Sequence, residues 1–389
     1  MTKKIAILFA ASIYNQKGLF NAAHNRILHL SKQTDLEIDA YILSSYLPLW
    51  ILKLTGKKKE DRPDTFMLDG IRYHIFWYQN SIIDYVCNRY FHVQPFFKKR
   101  IFRGIAKRFS NYDLIESHSG TNEIAEYVHR IYGTPYCITW HGSDIHTEPF
   151  RNKSIKKNVI RQMESANCNF FVSNSLLLKS NELSPKGKKC VLYNGVDLSF
   201  KKYSHEKRTG LRQEFKLQGK KVVAFAGNII PIKNVLSIPS IFRHVFNQNK
   251  NIEFWILGEG PLKKKLYSST LDLPIKFLGN VAKCQMPDYL NSIDVLILPS
   301  LNEGLPLITI EALSCGCKVV GSDVGGIHEV IGGENCIPLS ELDFEKKFAD
   351  RIVYFLSHNV QQKLDPKFDW RITAMQESDI LHAILNNHI

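Results

Sequence analysis

Short apolar runs, each followed by a longer amphipathic stretch, recur along this chain in two separate series. In the first half, residues 5–9, 37–42, 73–76, 114–117, 136–140 and 169–172 read as strands, with helices expected over 22–33, 97–109, 121–132 and 155–166. The pattern restarts after residue 220. Strands are expected at 222–226, 253–257, 275–278, 295–298 and 318–321, and helices at 237–248, 262–267, 286–291 and 306–315. Uninterrupted apolar runs suit strands buried on both faces, and their alternation with helices requires parallel sheets covered on both sides. At 389 residues the chain exceeds one ordinary hydrophobic core. Two doubly wound α/β domains are therefore expected, spanning 1–200 and 201–367, joined by a polar linker within 197–219.

The formal charge of +14 is uneven. Residues 1–200 carry 28 Lys and Arg against 17 Asp and Glu, a net of +11, which leaves +3 for the remainder. A basic surface on the first domain would suit an anionic partner. Within 89–109, Phe96, Phe97, Ile101, Phe102, Ile105 and Phe109 can share one helical side, while Lys98, Lys99, Arg100, Arg103, Lys107 and Arg108 crowd the rest. This reads either as a helix lying in a membrane interface, against anionic lipid, or as a core-facing helix with a solvated basic face. No nucleic-acid motif accompanies the charge, so no nucleic acid is expected. The eight cysteines show no disulfide framework and no zinc-ligand spacing. A cytoplasmic chain is expected, peripheral on the inner face of the plasma membrane if the basic segment binds lipid. The opening apolar run reads as a first strand, and no run approaches the ~20 apolar residues of a membrane span.

The chemistry concentrates in residues 299–330, PSLNEGLPLITIEALSCGCKVVGSDVGGIHEV. Glu303 lies in the loop after a buried strand, just ahead of a helix that Pro306 can open and Gly316 can close. Glu311 lies inside that helix, on its second turn. The amides of Leu305, Pro306's neighbour Leu307 and Ile308 stand at the helix start, where anions bind. Gly325 and Gly326 open the next loop. The set suits a ligand with hydroxyls at its ends and phosphate between them.

E-x7-E followed by A-L-S-C-G and G-G-I-x-E resembles the retaining glycosyltransferases of family 4. That resemblance implies the GT-B architecture, two Rossmann-like domains facing a central cleft, with a C-terminal helix (here 368–389) packing back on the first domain. It implies transfer of a sugar, expected as a hexose from UDP, to an acceptor hydroxyl on a lipid-linked or cell-envelope glycan precursor. Glu303 would bind hydroxyls of the transferred sugar and Glu311 those of the ribose. The segment GNIIPIKN, residues 227–234, is similar to the family's diphosphate-gripping loop. Lys233 is retained there, but Asn228 stands where the family has Arg. Asn donates a hydrogen bond without charge. The donor set is thus Asn228, Lys233, Glu303, Gly304, Leu305, Pro306, Leu307, Ile308 and Glu311. In the first domain, HGSD at 141–144 resembles the family's H-G-x-D. Catalytic roles are expected for His141, Glu303 and Lys233, with Gly18 and Asp144 in acceptor-side loops. Glu329 has a weaker claim. No Asp-x-Asp occurs, so the reaction is expected to run without metal or other cofactor, using cations and helix N-termini to hold the leaving diphosphate. No nucleophile for a double displacement stands out, and the resemblance implies front-face attack. The alternatives are a catalytically inactive sugar-nucleotide or membrane-binding protein, which Asn228 keeps in view, and a nucleotide-sugar epimerase.

Overall fold

The structure, a computed structural model, describes all residues except 1, 15, 17, 49, 51, 54–59, 80, 85–95, 152 and 387–389. It divides into two compact units, residues 1–194 with 369–389, and residues 195–368.

The first unit is built on an eight-stranded sheet: β1 (Lys4–Ala10), β2 (Glu37–Tyr46), β3 (Thr65–Leu68), β4 (Ile71–Gln79), β5 (Leu114–His118), β6 (Tyr136–Trp140), β7 (Cys168–Phe171) and β8 (Lys189–Val191). The order is β3-β4-β2-β1-β5-β6-β7-β8, parallel throughout except for the antiparallel β3–β4 hairpin at one edge. The central strands are buried on both faces because helices cover both. One cover is α1 (Leu19–Gln33), opened by Gly18 at φ +50°. On the other flank, α2 (Phe96–Ala106) runs into a 3-10 turn. A C-terminal helix (Trp370–Leu385) packs against α1 within the same unit. Its buried positions, Trp370, Thr373, Ala374, Glu377, Ser378, Leu381 and Ile384, recur at helical spacing and make one stripe.

The second unit holds a six-stranded parallel sheet: β9 (Lys221–Ala226), β10 (Ile252–Leu257), β11 (Ile275–Gly279), β12 (Val295–Leu298), β13 (Lys318–Ser322) and β14 (Cys336–Ile337), in the order β11-β10-β9-β12-β13-β14. The chain winds outward from β9 in one direction and then, from β12, in the other. The strand order therefore reverses between β9 and β12, and ligands bind at the carboxyl ends of such a switch. The first sheet has its own reversal between β1 and β5.

Two expectations need correction. The segment 197–219 is no open linker: it belongs to the second unit and forms a helix, His205–Glu214, N-capped by Ser204 and tied to Asp294 through Arg208 and Arg212. The expected boundary at 200/201 thus lies inside the second unit, six residues past the observed one. In the basic segment, residues 89–95 lie outside the described set. Over the rest, Phe102 and Phe109 are buried, Phe102 edge-on to Tyr78 and Phe109 edge-on to Tyr41 and Phe76. Of the apolar stripe, Phe102 and Phe109 therefore face the unit's own core, Ile101 and Ile105 are half-buried and Phe97 is exposed, while Arg100, Arg103, Lys107 and Arg108 form an exposed cationic face. Among the described residues, no helix is long and apolar enough to cross a membrane.

Candidate functional site

The loops after β9 and β12 meet at the switch of the second sheet. After β9 the backbone turns at Gly227, and residues Pro231–Lys233 form a 3-10 turn closed by Asn234 in the left-handed region (φ +49°). After β12 the loop 299–306 leads into α3 (Leu307–Ser314). The two are tied by the Leu301 amide, which donates to the Ile232 carbonyl at 2.8 Å. Lys233 Nζ then pairs with Glu303 Oε1, which also accepts from Ser300 Oγ at 2.7 Å. The pair is mostly covered, with side-chain exposures of 22% for Lys233 and 9% for Glu303. A carboxylate holding a cation beside a helix N-terminus places both charge signs within reach of one polar ligand.

Two glycines make this geometry possible. A Cβ on Gly325 would stand 1.9 Å from the Glu303 carbonyl oxygen, and the residue sits at φ +53°. Next to it, the Gly326 amide donates to the Gly304 carbonyl at 2.8 Å. The loop after β13 is therefore clamped to the loop that carries Glu303. Likewise Gly258 and Gly260 lie against Gly227 and Ile229, where a Cβ would come within 1.9 Å and 2.3 Å of their carbonyl oxygens. The glycines of residues 258–261 (Gly-Glu-Gly-Pro) thus serve close packing of backbone on backbone against the loop after β9.

In α3, Leu305 and Pro306 are buried ahead of the first turn, while Gly304, Leu307 and Ile308 are half-buried. The first amides of an α-helix have no partner within it, so those of α3 can point to a ligand. Glu311 is half-buried, and desolvation pushes its carboxyl up to about 7, against the opposing charge of Lys283 and with that of Asp197. A carboxylate with so little hydration gains strongly from hydroxyl donors. Asn228 is exposed on the loop after β9. Glu329 falls in the first turn of a five-residue helix, Ile327–Ile331.

In the first unit, His141 follows β6 directly. Its amide and that of Gly142 donate to Asp144, at 3.0 Å and 2.8 Å to the nearer oxygens. Asp144 is buried, which raises its carboxyl pKa against these hydrogen bonds. It holds the His141 turn in place. His141 Nε2 lies 2.9 Å from His118 Nδ1, at the end of β5. Gly18 has open space where a Cβ would go, so its left-handed φ, and no close approach, is what calls for glycine. Lys17 lies outside the described residues. His118 is not among the residues that sequence patterns single out; a His closing a buried strand two residues after a Glu is the available signal.

As for metal, Asp323, His328 and Cys336 are the one set among the described residues that offers three ligand atoms within 4.8 Å of one another. His328 Nδ1 and Asp323 Oδ1 are 3.1 Å apart and exposed, whereas burial pushes the Cys336 thiol up to about 12. A thiol that resists deprotonation is a poor ligand.

Residues 220–358, which span the whole second sheet, match the family described as glycosyl transferases group 1. The chain thus carries a group 1 glycosyl transferase domain in its second unit. It is 27% identical over 292 residues to a Bacillus subtilis protein named as a teichuronic acid biosynthesis glycosyltransferase, TuaC, covering 73% of this chain and 71% of that one. It is 29% identical over 280 residues to the Escherichia coli UDP-Gal:alpha-D-GlcNAc-diphosphoundecaprenol alpha-1,3-galactosyltransferase, covering 65% of this chain and 70% of the relative. Among solved structures, the sucrose-phosphate synthase of Thermosynechococcus elongatus superposes with a TM-score of 0.76 over 99% of this chain and all of that one, at 14% identity. The shared fold is GT-B.

Proposed function

We propose that this glycosyltransferase moves a hexose from a UDP-sugar to a hydroxyl of a lipid-linked glycan precursor of the cell envelope, with retention of anomeric configuration and without a metal. The observation that carries the reading is the convergence of Lys233 and Glu303 at the switch point of the second sheet, beside the start of α3. In the resting protein Glu303 is the counter-ion of Lys233. An incoming diphosphate offers Lys233 a stronger partner, which frees Glu303 to accept hydroxyls of the sugar. Glu311 takes the ribose hydroxyls. As the glycosidic bond breaks, charge gathers on the diphosphate, and Lys233 with the amides of α3 stabilises it in place of a metal. The donor's uridine and the lipid-diphosphate acceptor are supported by the name of the Escherichia coli relative, and the envelope setting by both relatives. In the strand-end loops of the first unit, Gly18 serves the acceptor side and His141 meets a sugar hydroxyl at the reacting centre. Asn228 implies a diphosphate grip with one cation fewer, hence weaker donor binding.

The test is turnover with UDP-glucose, UDP-galactose and their N-acetyl forms on undecaprenyl-diphosphate sugars, in the presence of EDTA, with the product anomer read by NMR. Transfer in EDTA with an α-linked product supports the reading. UDP-sugar consumed without any acceptor would favour an epimerase or hydrolase, and activity that returns only with added metal would refute the metal-free step.

A further inference from the structure

One face of the first sheet carries charge deep inside the unit. Glu116 and His118 stand two apart on β5, so both side chains leave the same face, and neither is exposed. Arg26 of α1 reaches this face, itself 2% exposed, with its guanidinium over the Phe170 ring. Its Nε donates to Glu377 Oε2 of the C-terminal helix at 2.7 Å and lies 3.8 Å from Glu116 Oε1. Burial pushes the Glu377 carboxyl well up, with the neighbouring Glu116 adding to the shift. One cation thus sits between two carboxyls. Thr139 Oγ1 of β6 donates to Glu116 Oε1 at 2.8 Å and fixes that oxygen.

His118 comes next in line. Its Nε2 makes no hydrogen bond but faces Glu116 Oε1 at 3.5 Å, and its Nδ1 is 2.9 Å from His141 Nε2. The two rings lie 24° from parallel with centroids 5.2 Å apart, and Phe9 packs edge-on to His118. Burial keeps both imidazoles neutral: it drives His118 well below the usual histidine range and His141 down to about 3, with Arg26 acting in the same sense on each. A neutral imidazole carries a single N–H. Glu116 Oε1 already serves as an acceptor for Thr139, so the nitrogen that faces it, His118 Nε2, is the one to carry the hydrogen. Its Nδ1 is then a lone pair, and the short contact to His141 requires the hydrogen there to be on Nε2. His141 Nδ1 is left bare.

We propose that His118, oriented by Glu116, is a positioning residue that locks His141 in its Nε2–H tautomer and so presents Nδ1 as an acceptor for a substrate hydroxyl. This rests on the reading that His141 meets a sugar. It also decides what His141 does there. A neutral ring recognises an O–H; it does not supply charge to the departing diphosphate.

Histidine-selective 15N NMR on the resting protein tests this without substrate, with the two resonances assigned by their loss in His118→Gln and His141→Gln. The expected spectrum shows a protonated Nε2 and a pyridine-type Nδ1 on His141. A hydrogen on Nδ1 instead overturns the proposal. In His118→Phe, which keeps an aromatic ring against Phe9 but offers no nitrogen, the tautomers mix and kcat/KM falls about tenfold, the loss of one oriented hydrogen bond, while the Kd for UDP stays at the wild-type value. Retention of the Nε2–H tautomer in that variant also overturns it. If His141→Ala turns over normally while the tautomer is as expected, the assignment of His141 to the substrate fails and the positioning stands. If the tautomer is wrong and His141→Ala is crippled, the reverse holds.

Discussion

The two units treat charge in opposite ways. The second brings Lys233 and Glu303 together at the carboxyl ends of its strands, where a ligand can part them. The first encloses Arg26, Glu116 and Glu377 against a sheet face, none more than 2% exposed. Paired charges at a strand end can be exchanged for those of a substrate, so their worth is read in binding and rate. Paired charges in a core cannot be exchanged. Losing one partner leaves the other stranded in a medium that solvates it poorly, so their worth is read in stability.

The contrast makes unequal forecasts. Arg26→Met strands Glu116 and should cost about 3–5 kcal/mol in urea denaturation of the first unit; a neutral result would erase the distinction. Lys233→Ala should leave stability within about 0.5 kcal/mol yet lower kcat/KM about 10²–10³-fold, the range for removing one group that stabilises leaving-group charge. If melting moves and turnover does not, the pair is structural. Gly325→Ala forces both a clash with the Glu303 carbonyl and a left-handed alanine, and about 1–3 kcal/mol of strain should appear as weakened nucleotide binding and a lower Tm.

The subtlest forecast concerns pH. Glu311 ionises near 7 in the folded protein, against its usual 4.5 unfolded. Between those values the folded state binds more protons, so stability falls as pH rises from about 4.5 to 7. Hydroxyl donors prefer the carboxylate, so UDP affinity should rise over pH 6 to 8. Glu311→Gln should flatten both trends, after correction for the titration of UDP itself. His141, held near 3, has the opposite sign: it is neutral when folded and takes a proton when unfolded below about 6.5, so stability falls as pH drops through that window.

Much of the second unit's crevice was legible because its residues lie in two contiguous strings, each fixed between a buried strand and a helix. Glu303, Gly304, Glu311 and Gly325 fall within one span of 299–330, and the lysine loop follows β9 at once. What the string withheld was that Gly325 serves Glu303's own loop. The polar core of the first unit was illegible for a matching reason: Arg26 and Glu377 are 351 residues apart, and no local pattern joins them. The helix at 205–214 resembles a linker in sequence because it has no buried residue to make an apolar stripe; its anchor is the pairing of two arginines with Asp294. In α2, periodicity gave the apolar stripe but could not say whether lipid or the protein's own core would cover it. The strands β3, β8 and β14 are four residues or fewer, too short for alternation to register.

Thermal stabilisation by UDP, compared among the wild type, Lys233→Ala and Glu311→Ala, tests the central claim most directly. Binding to the native state alone must raise Tm by mass action. A rise with UDP in the wild type that is lost in both variants is the predicted result and places the nucleotide at the switch point of the second sheet. An equal rise in all three proteins would put the donor elsewhere and contradict the account.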